Sequence, residues 1–149
     1  MIPLTRRTFI LSSFAAAALV TMPSRAATET LEMYKTPWCG CCTVWADHMQ
    51  EAGFTVNVTA IEDIEPLKVK AGVPADLASC HTAFIGGYVV EGHVPAKDIR
   101  RLLAEKPQAT GLAVPGMPMG SPGMETDGPI DSFEVVLFSP ASRTVFSRY

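Results

Sequence analysis

The chain has no surplus of positive charge. Twelve lysines and arginines face fifteen aspartates and glutamates in 149 residues, a formal net charge of −3. A nucleic-acid partner would need a basic footprint, so that class is excluded. The apolar run from Phe9 to Val20 is shorter than the ~20 residues that cross a bilayer, and no other run is long enough. No internal repeat is found. The two C-x-x-C knuckles from which four-cysteine zinc sites are usually built are also missing. Three of the four cysteines instead crowd into "WCGCC" as Cys39, Cys41 and Cys42, and Cys80 stands apart.

What is present begins with an address. In "MIPLTRRTFILSSFAAAALVTMPSRAA", Arg6 and Arg7 are the charged region and Phe9–Val20 the apolar one. Ser24-Arg25-Ala26 has the small-x-small form of a cleavage site, so a cut after Ala26 is expected. "TRRTFI" matches the twin-arginine export pattern, a route for cargo that is already folded. Residues 1–26 are therefore read as an export signal and 27–149 as one exported domain. Cleavage removes Arg6, Arg7 and Arg25 and no acid, leaving a more acidic chain with no membrane span.

Patterning of the remaining chain predicts alternating elements. "LEMYKT" (31–36) reads as a strand, and "CCTVWADHMQEAG" as a helix ended by Gly53, with Val44, Trp45, His48, Met49 and Ala52 on one face. "FTVNVTAI" (54–61) is rich in β-branched residues and reads as a strand. "DIEPLKVKAGVP" reads as a short helix that Asp63 can cap, with Pro66 in its first turn and Gly72 at its end. "HTAFI" and "YVVEG" are strands joined by a Gly86-Gly87 hairpin turn. "PAKDIRRLLAEK" (95–106) is a helix opened by Pro95, with Ile99, Leu102 and Leu103 inward and "KDIRR" a solvated face. The order β-α-β-α-β-β-α is that of a thioredoxin-like α/β domain. Residues 106–132 hold five prolines and five glycines and read as a long Met/Pro/Gly-rich loop, tied down at both ends because sheet follows it. "FEVVLFSPASRTVFSRY" closes the chain as a β-hairpin.

The chemistry concentrates at the cysteines. Cys39 and Cys42 form a C-x-x-C pair at a helix N-terminus, where the dipole and free N–H groups favour thiolate. "WCGCC" differs from the "WCGPC" of thioredoxins by Cys41 in place of proline. Cys80 enters the "HTAFI" strand where thioredoxins carry a cis-proline, and here the nearest preceding proline is Pro74. That departure disfavours plain thiol–disulfide exchange and aims a fourth sulfur at the other three. Packed thiolates repel unless oxidised, protonated or neutralised by cations. Thiolate and thioether donors select Cu(I), zinc or iron–sulfur, and three sulfurs in four residues suit thiolates bridging several Cu(I) ions. Met117, Met119 and Met124 could cap such a site or pack the loop onto the core. His81 is a candidate copper or proton-transfer neighbour. His93, in "EGHVP", reads as a capping or surface residue, and His48 as a core-edge one.

Three stretches, "YKTPWCGCC", "LASCHTAFIGGYVVEGHVPAKDIRRLL" and "GLAVPGMPMGSPGME", resemble the CopG-type copper-resistance family. The resemblance covers nearly all of the mature chain. It implies a periplasmic thioredoxin-like protein with a multinuclear copper cluster bridged by Cys39, Cys41, Cys42 and Cys80, able to interconvert Cu(I) and Cu(II). Equal numbers of thiolates and Cu(I) ions make a neutral cluster, which avoids the cost of burying net charge. Other periplasmic copper-handling proteins are the partners this reading implies. Two alternatives stand beside it. One is a thiol–disulfide oxidoreductase with Cys39 as nucleophile and Cys42 or Cys41 resolving. The other is a structural domain stapled by disulfides or zinc.

Overall fold

The structure, a computed structural model, describes residues 29–149, so the export signal and the cut expected after Ala26 lie outside it. Strand β1 (Thr30–Lys35) leads into helix α1 (Gly40–Glu51) and then strand β2 (Thr55–Ala60). Helix α2 (Glu65–Lys70) and a 3-10 turn (Ala75–Leu77) precede strands β3 (His81–Ile85) and β4 (Tyr88–Glu91). Helix α3 (Ala96–Glu105) is followed by β5 (Gly111–Ala113), β6 (Glu134–Phe138) and β7 (Arg143–Arg148).

All seven strands form one mixed sheet in the order β2-β1-β3-β4-β5-β6-β7. β1 and β2 run parallel because α1 crosses between them, and α3 does the same for the parallel pair β4 and β5. The remaining neighbours are antiparallel. Gly86 and Gly87 make the β3–β4 turn with φ of +55° and +85°, the two positive values a two-residue hairpin loop needs. The N-cap of α2 is Ile64 rather than Asp63, and the Asp63 carboxylate, one residue further out, accepts from the Glu65 N–H at 3.1 Å.

Successive residues of a strand face opposite sides, and the core divides accordingly. Val90 and Leu112 join the apolar layer under α1 and α3, with Leu31, Met33, Trp45, Ile99 and Leu102. Their neighbours Val89 and Ala113 join Val73, Leu77 and Phe138 on the other face. Trp45 is fully buried and its indole N–H donates to the Val94 carbonyl at 2.9 Å. Burying an aromatic of this size contributes about 2–3 kcal/mol, and the hydrogen bond removes the polar penalty.

Two expectations are corrected. The buried face of α1 is Cys42, Trp45, Ala46 and Met49, whereas Val44 is 43% exposed. Trp45 and Met49 face inward as the pattern suggests and His48 and Ala52 are half-buried, so the stripe is turned toward Cys42 and Ala46 only at Val44's expense. The second correction concerns 106–132, which is not all loop. Gly111–Ala113 is a fully buried strand between β4 and β6, so the C-terminal hairpin continues the main sheet. A Cβ on Gly111 would sit 1.8 Å from the Val89 carbonyl oxygen, so glycine here marks close strand contact.

Candidate metal centre

β1 ends at Lys35 and the chain turns through residues 36–39, with the Cys39 N–H donating to the Thr36 carbonyl at 3.2 Å. The buried Lys35 ammonium donates to the carbonyls of Thr36 and Cys39, each at 3.1 Å, which places a positive charge beside the turn that carries the cysteines. Cys39 is the N-cap of α1 and caps with no side-chain hydrogen bond, so its side chain does not occupy the free N–H groups of the first turn.

The four sulfurs converge. Cys39, Cys41, Cys42 and Cys80 each offer Sγ within 4.8 Å of the others. Cys39 and Cys42 are joined as a disulfide, and Cys41 and Cys80 are free. Cys41 Sγ lies 3.5 Å from Cys39 Sγ and 3.9 Å from Cys80 Sγ. Cys80 comes from the entry to β3, next to α1 because β1 and β3 are neighbouring strands. Burial, reinforced by Cys41, pushes the Cys80 thiol up to about 12. Without a cation nearby this thiol stays protonated, and a bound metal ion would take the proton's place.

Two imidazoles complete the arrangement. His93 was expected at the surface or in a cap, but it is fully buried, and its Nε2 lies 2.9 Å from Cys80 Sγ. Its Nδ1 donates to the Pro122 carbonyl at 2.8 Å. A carbonyl can only accept, so this bond assigns the proton to Nδ1 and leaves the Nε2 lone pair facing the sulfur. His81 is also fully buried, with Nδ1 3.5 Å from Cys80 Sγ and its ring 4.4 Å from that of Trp45. Its Nε2 has no hydrogen-bond partner among the described residues. Burial, then the neighbouring His93, Lys68 and Lys35, holds the His81 pKa well below the ordinary histidine value. Burial lowers His93 as well, against the opposing pull of the Pro122 carbonyl and Glu125. Both rings are thus neutral ligand-type imidazoles at pH 7.

The Met-bearing segment is fastened on both sides of this group. Gly116 donates its N–H to the Ala78 carbonyl at 3.3 Å and accepts from the Ser79 hydroxyl. Further on, Pro122 holds His93, and a Cβ on Gly123 would come 2.8 Å from the Cys41 carbonyl oxygen. The carboxylate of Glu125 meets His48 Nε2 at 2.7 Å and accepts from the Gly123 N–H. Partial burial works against ionisation of Glu125, but the backbone N–H groups and His48 outweigh it and hold its pKa below the usual value. His48 therefore sits half-buried at the edge of α1, latching the loop. Between the two anchor points Met117 and Met119 are 52% and 37% exposed, so neither packs the loop onto the core. Met124 is half-buried.

Soft thiolates beside neutral imidazoles form a donor set for a soft or borderline metal ion. A family model described as "Protein of unknown function, DUF411" matches residues 77–124. No curated protein matches the chain. A solved structure described as "Copper resistance protein copG- Form 2" aligns with a TM-score of 0.79 at 40% identity, over 83% of this chain and 99% of its own. "Copper resistance protein copG- Form 1" aligns with a TM-score of 0.78 at 40% identity, over 83% and 98%. The chain belongs to the CopG copper-resistance family. Within this CopG-family chain the matched span 77–124 carries Cys80, His81, His93 and the three loop methionines, while the three clustered cysteines precede it.

Sequence reasoning missed His93. A signal was available in the hairpin: Thr82 pairs with Glu91 and Ala83 with Val90, so continuing the ladder backward sets Cys80 opposite His93.

Proposed function

We propose that this chain is a periplasmic thioredoxin-like domain, residues 27–149, that binds Cu(I) in a multinuclear site bridged by Cys39, Cys41, Cys42 and Cys80. The observation that carries the reading is the convergence of four sulfurs within 4.8 Å, with the His93 lone pair aimed at one of them. The strand order β2-β1-β3-β4 with α1 crossing between β1 and β2 supports the fold name. No helix among the described residues is long and apolar enough to cross a membrane. His81 and His93 are the added nitrogen donors, and Met117, Met119 and Met124 stand on the segment that could hand copper in or out. Partners would be other periplasmic copper-handling proteins.

Copper here is cargo or substrate. In the reduced protein Cys39 and Cys42 act as ligands. When these two thiolates close as a disulfide they give up two electrons, and two Cu(II) become two Cu(I), the thiol protons having already left when the metal bound. Cys41, Cys80 and His93 keep their donor atoms through that change, so a smaller site persists in the oxidised state.

The disulfide itself favours a second reading, a thiol–disulfide oxidoreductase with half-buried Cys39 as the attacked or attacking sulfur and buried Cys42 as its partner. The deciding experiment is anaerobic Cu(I) titration of the reduced mature protein against a chromogenic competitor, with zinc as control. Several tightly bound Cu(I) per chain, reduced in Cys80→Ser, supports the copper site. No tight Cu(I) binding, together with rapid disulfide exchange abolished by Cys39→Ser, would establish the oxidoreductase.

A further inference from the structure

A second set of buried polar groups lies behind Cys80 and touches no sulfur. Lys68 on α2 is 2% exposed and Glu91 on β4 is fully buried. Lys68 Nζ donates to Glu91 Oε1 at 2.5 Å and to Thr82 Oγ1 at 3.0 Å. The Thr82 hydroxyl donates to Glu91 Oε2 at 2.7 Å, and the Ser79 backbone N–H donates to Glu91 Oε1 at 2.7 Å. Both carboxylate oxygens are used, and the groups come from α2, β3, β4 and the segment entering β3.

A buried ion pair of this kind is poorly explained by stability, since apolar replacements of equal shape are often neutral or better. What an apolar replacement cannot do is accept a backbone N–H. Ser79 and Thr82, the two groups that Glu91 grips besides lysine, bracket Cys80 and His81. Close approach is built in nearby: a Cβ on Gly92, the residue after Glu91, would lie 2.5 Å from the Ser79 side chain and 2.7 Å from the Val114 carbonyl oxygen. The residue before Cys80 is Ser79, and the nearest preceding proline, Pro74, lies six positions back. We infer that the Lys68–Glu91–Thr82 network is a positioning device that fixes the Cys80 sulfur against Cys41, with Glu91 anchoring the backbone through the Ser79 N–H.

The inference rests on the copper reading for its functional meaning, and its test has a metal-free arm. Two doubly substituted proteins, both without the buried charges, are compared. Lys68→Met/Glu91→Gln keeps an acceptor for the Ser79 N–H, and Lys68→Met/Glu91→Leu does not. In a Cys39→Ser/Cys42→Ser background, glutathione disulfide is used to oxidise Cys41 and Cys80 to one disulfide, with two glutathione thiols released. The effective concentration of the two thiols should stay near the parent value in the Gln version and fall about tenfold to hundredfold in the Leu version. With all four cysteines present, Cu(I) affinity should fall about tenfold to hundredfold in the Leu version alone. Adding Cys80→Ser to it should then cause little further loss, because network and sulfur act as one unit.

A purely structural network gives no such difference. The folded Leu version would then match the parent within about twofold in the thiol assay, and that result overturns the inference. Should the parent take up no Cu(I), the copper reading falls while the thiol assay still decides this one. If the Leu version does not fold, Ser79→Pro removes the same donor and Ser79→Ala keeps it. A loss of effective concentration in the proline variant alone supports anchoring, and equal values overturn it.

Discussion

Replacing His93 with leucine removes one nitrogen donor from the site while leaving its volume filled. His93 is fully buried, so the substitution has two opposed effects on the fold. The Pro122 carbonyl loses its donor at 2.8 Å, which costs about 1–3 kcal/mol if it is left unpaired. The leucine side chain gains about 1.5–3 kcal/mol from apolar burial. The net change is within about 1–2 kcal/mol, or a few degrees in Tm for a domain of this size. The metal site has no such compensation. Losing the lone pair 2.9 Å from Cys80 Sγ should weaken Cu(I) binding about tenfold to hundredfold, roughly 1.4–2.7 kcal/mol. Competition against a chromogenic Cu(I) chelator, run anaerobically on protein shown to be folded by circular dichroism, measures it. Unchanged Cu(I) affinity in folded His93→Leu protein would refute a ligand role for this nitrogen.

Other outcomes follow from the same geometry. Gly111→Ala forces a carbon 1.8 Å from the Val89 carbonyl oxygen and should part β4 from β5, costing more than about 3 kcal/mol in urea unfolding. In metal-free protein His81 and His93 are held neutral by burial, so the unfolded chain takes up the extra protons first. Stability is then complete above the ordinary histidine pKa of 6.5 and falls as pH drops below it, until each folded-state pKa is passed. The slope is about 1.4 kcal/mol per pH unit for each ring. Urea midpoints from pH 8 to about pH 5 check this, and His81→Gln should flatten the profile. The proposed function gives the exposed thioethers of Met117 and Met119 a part in transfer and none in the cysteine-bridged site. Their joint change to leucine should therefore leave Cu(I) stoichiometry unaltered and slow the rate of Cu(I) hand-off to a thioether-bearing acceptor, read by stopped flow.

Much of the site could be read from the chain because its chemistry is local. Three cysteines in four residues at a helix start announce themselves, and the Gly86-Gly87 turn requires positive φ at both positions. What escaped reading depends on distant partners. "GLA" at 111–113 carries no strand signal of its own. It is a strand because β4 and β6 offer edges on both sides, and its glycine is demanded by the Val89 backbone. His93 lies beside a glycine and near a proline, a setting shared by most surface turns, and only hairpin register turns it inward. Lys68 and Glu91 are charged residues 23 positions apart, and nothing local tells a solvated charge from one buried in a network.

The β3–β4 hairpin also separates cause from effect in space. Its turn is at Gly86-Gly87, and Cys80 and His93 face each other across the open end. A five-residue strand at about 3.4 Å per residue puts roughly 17 Å between them. The loop length at one end therefore sets the partner of the sulfur at the other. A single inserted residue, by slipping the ladder one step, would carry His93 to the opposite face of the sheet. Under the proposed copper reading, loss of copper handling would thus arise from a surface turn far from the candidate site, with every candidate ligand still present in the sequence.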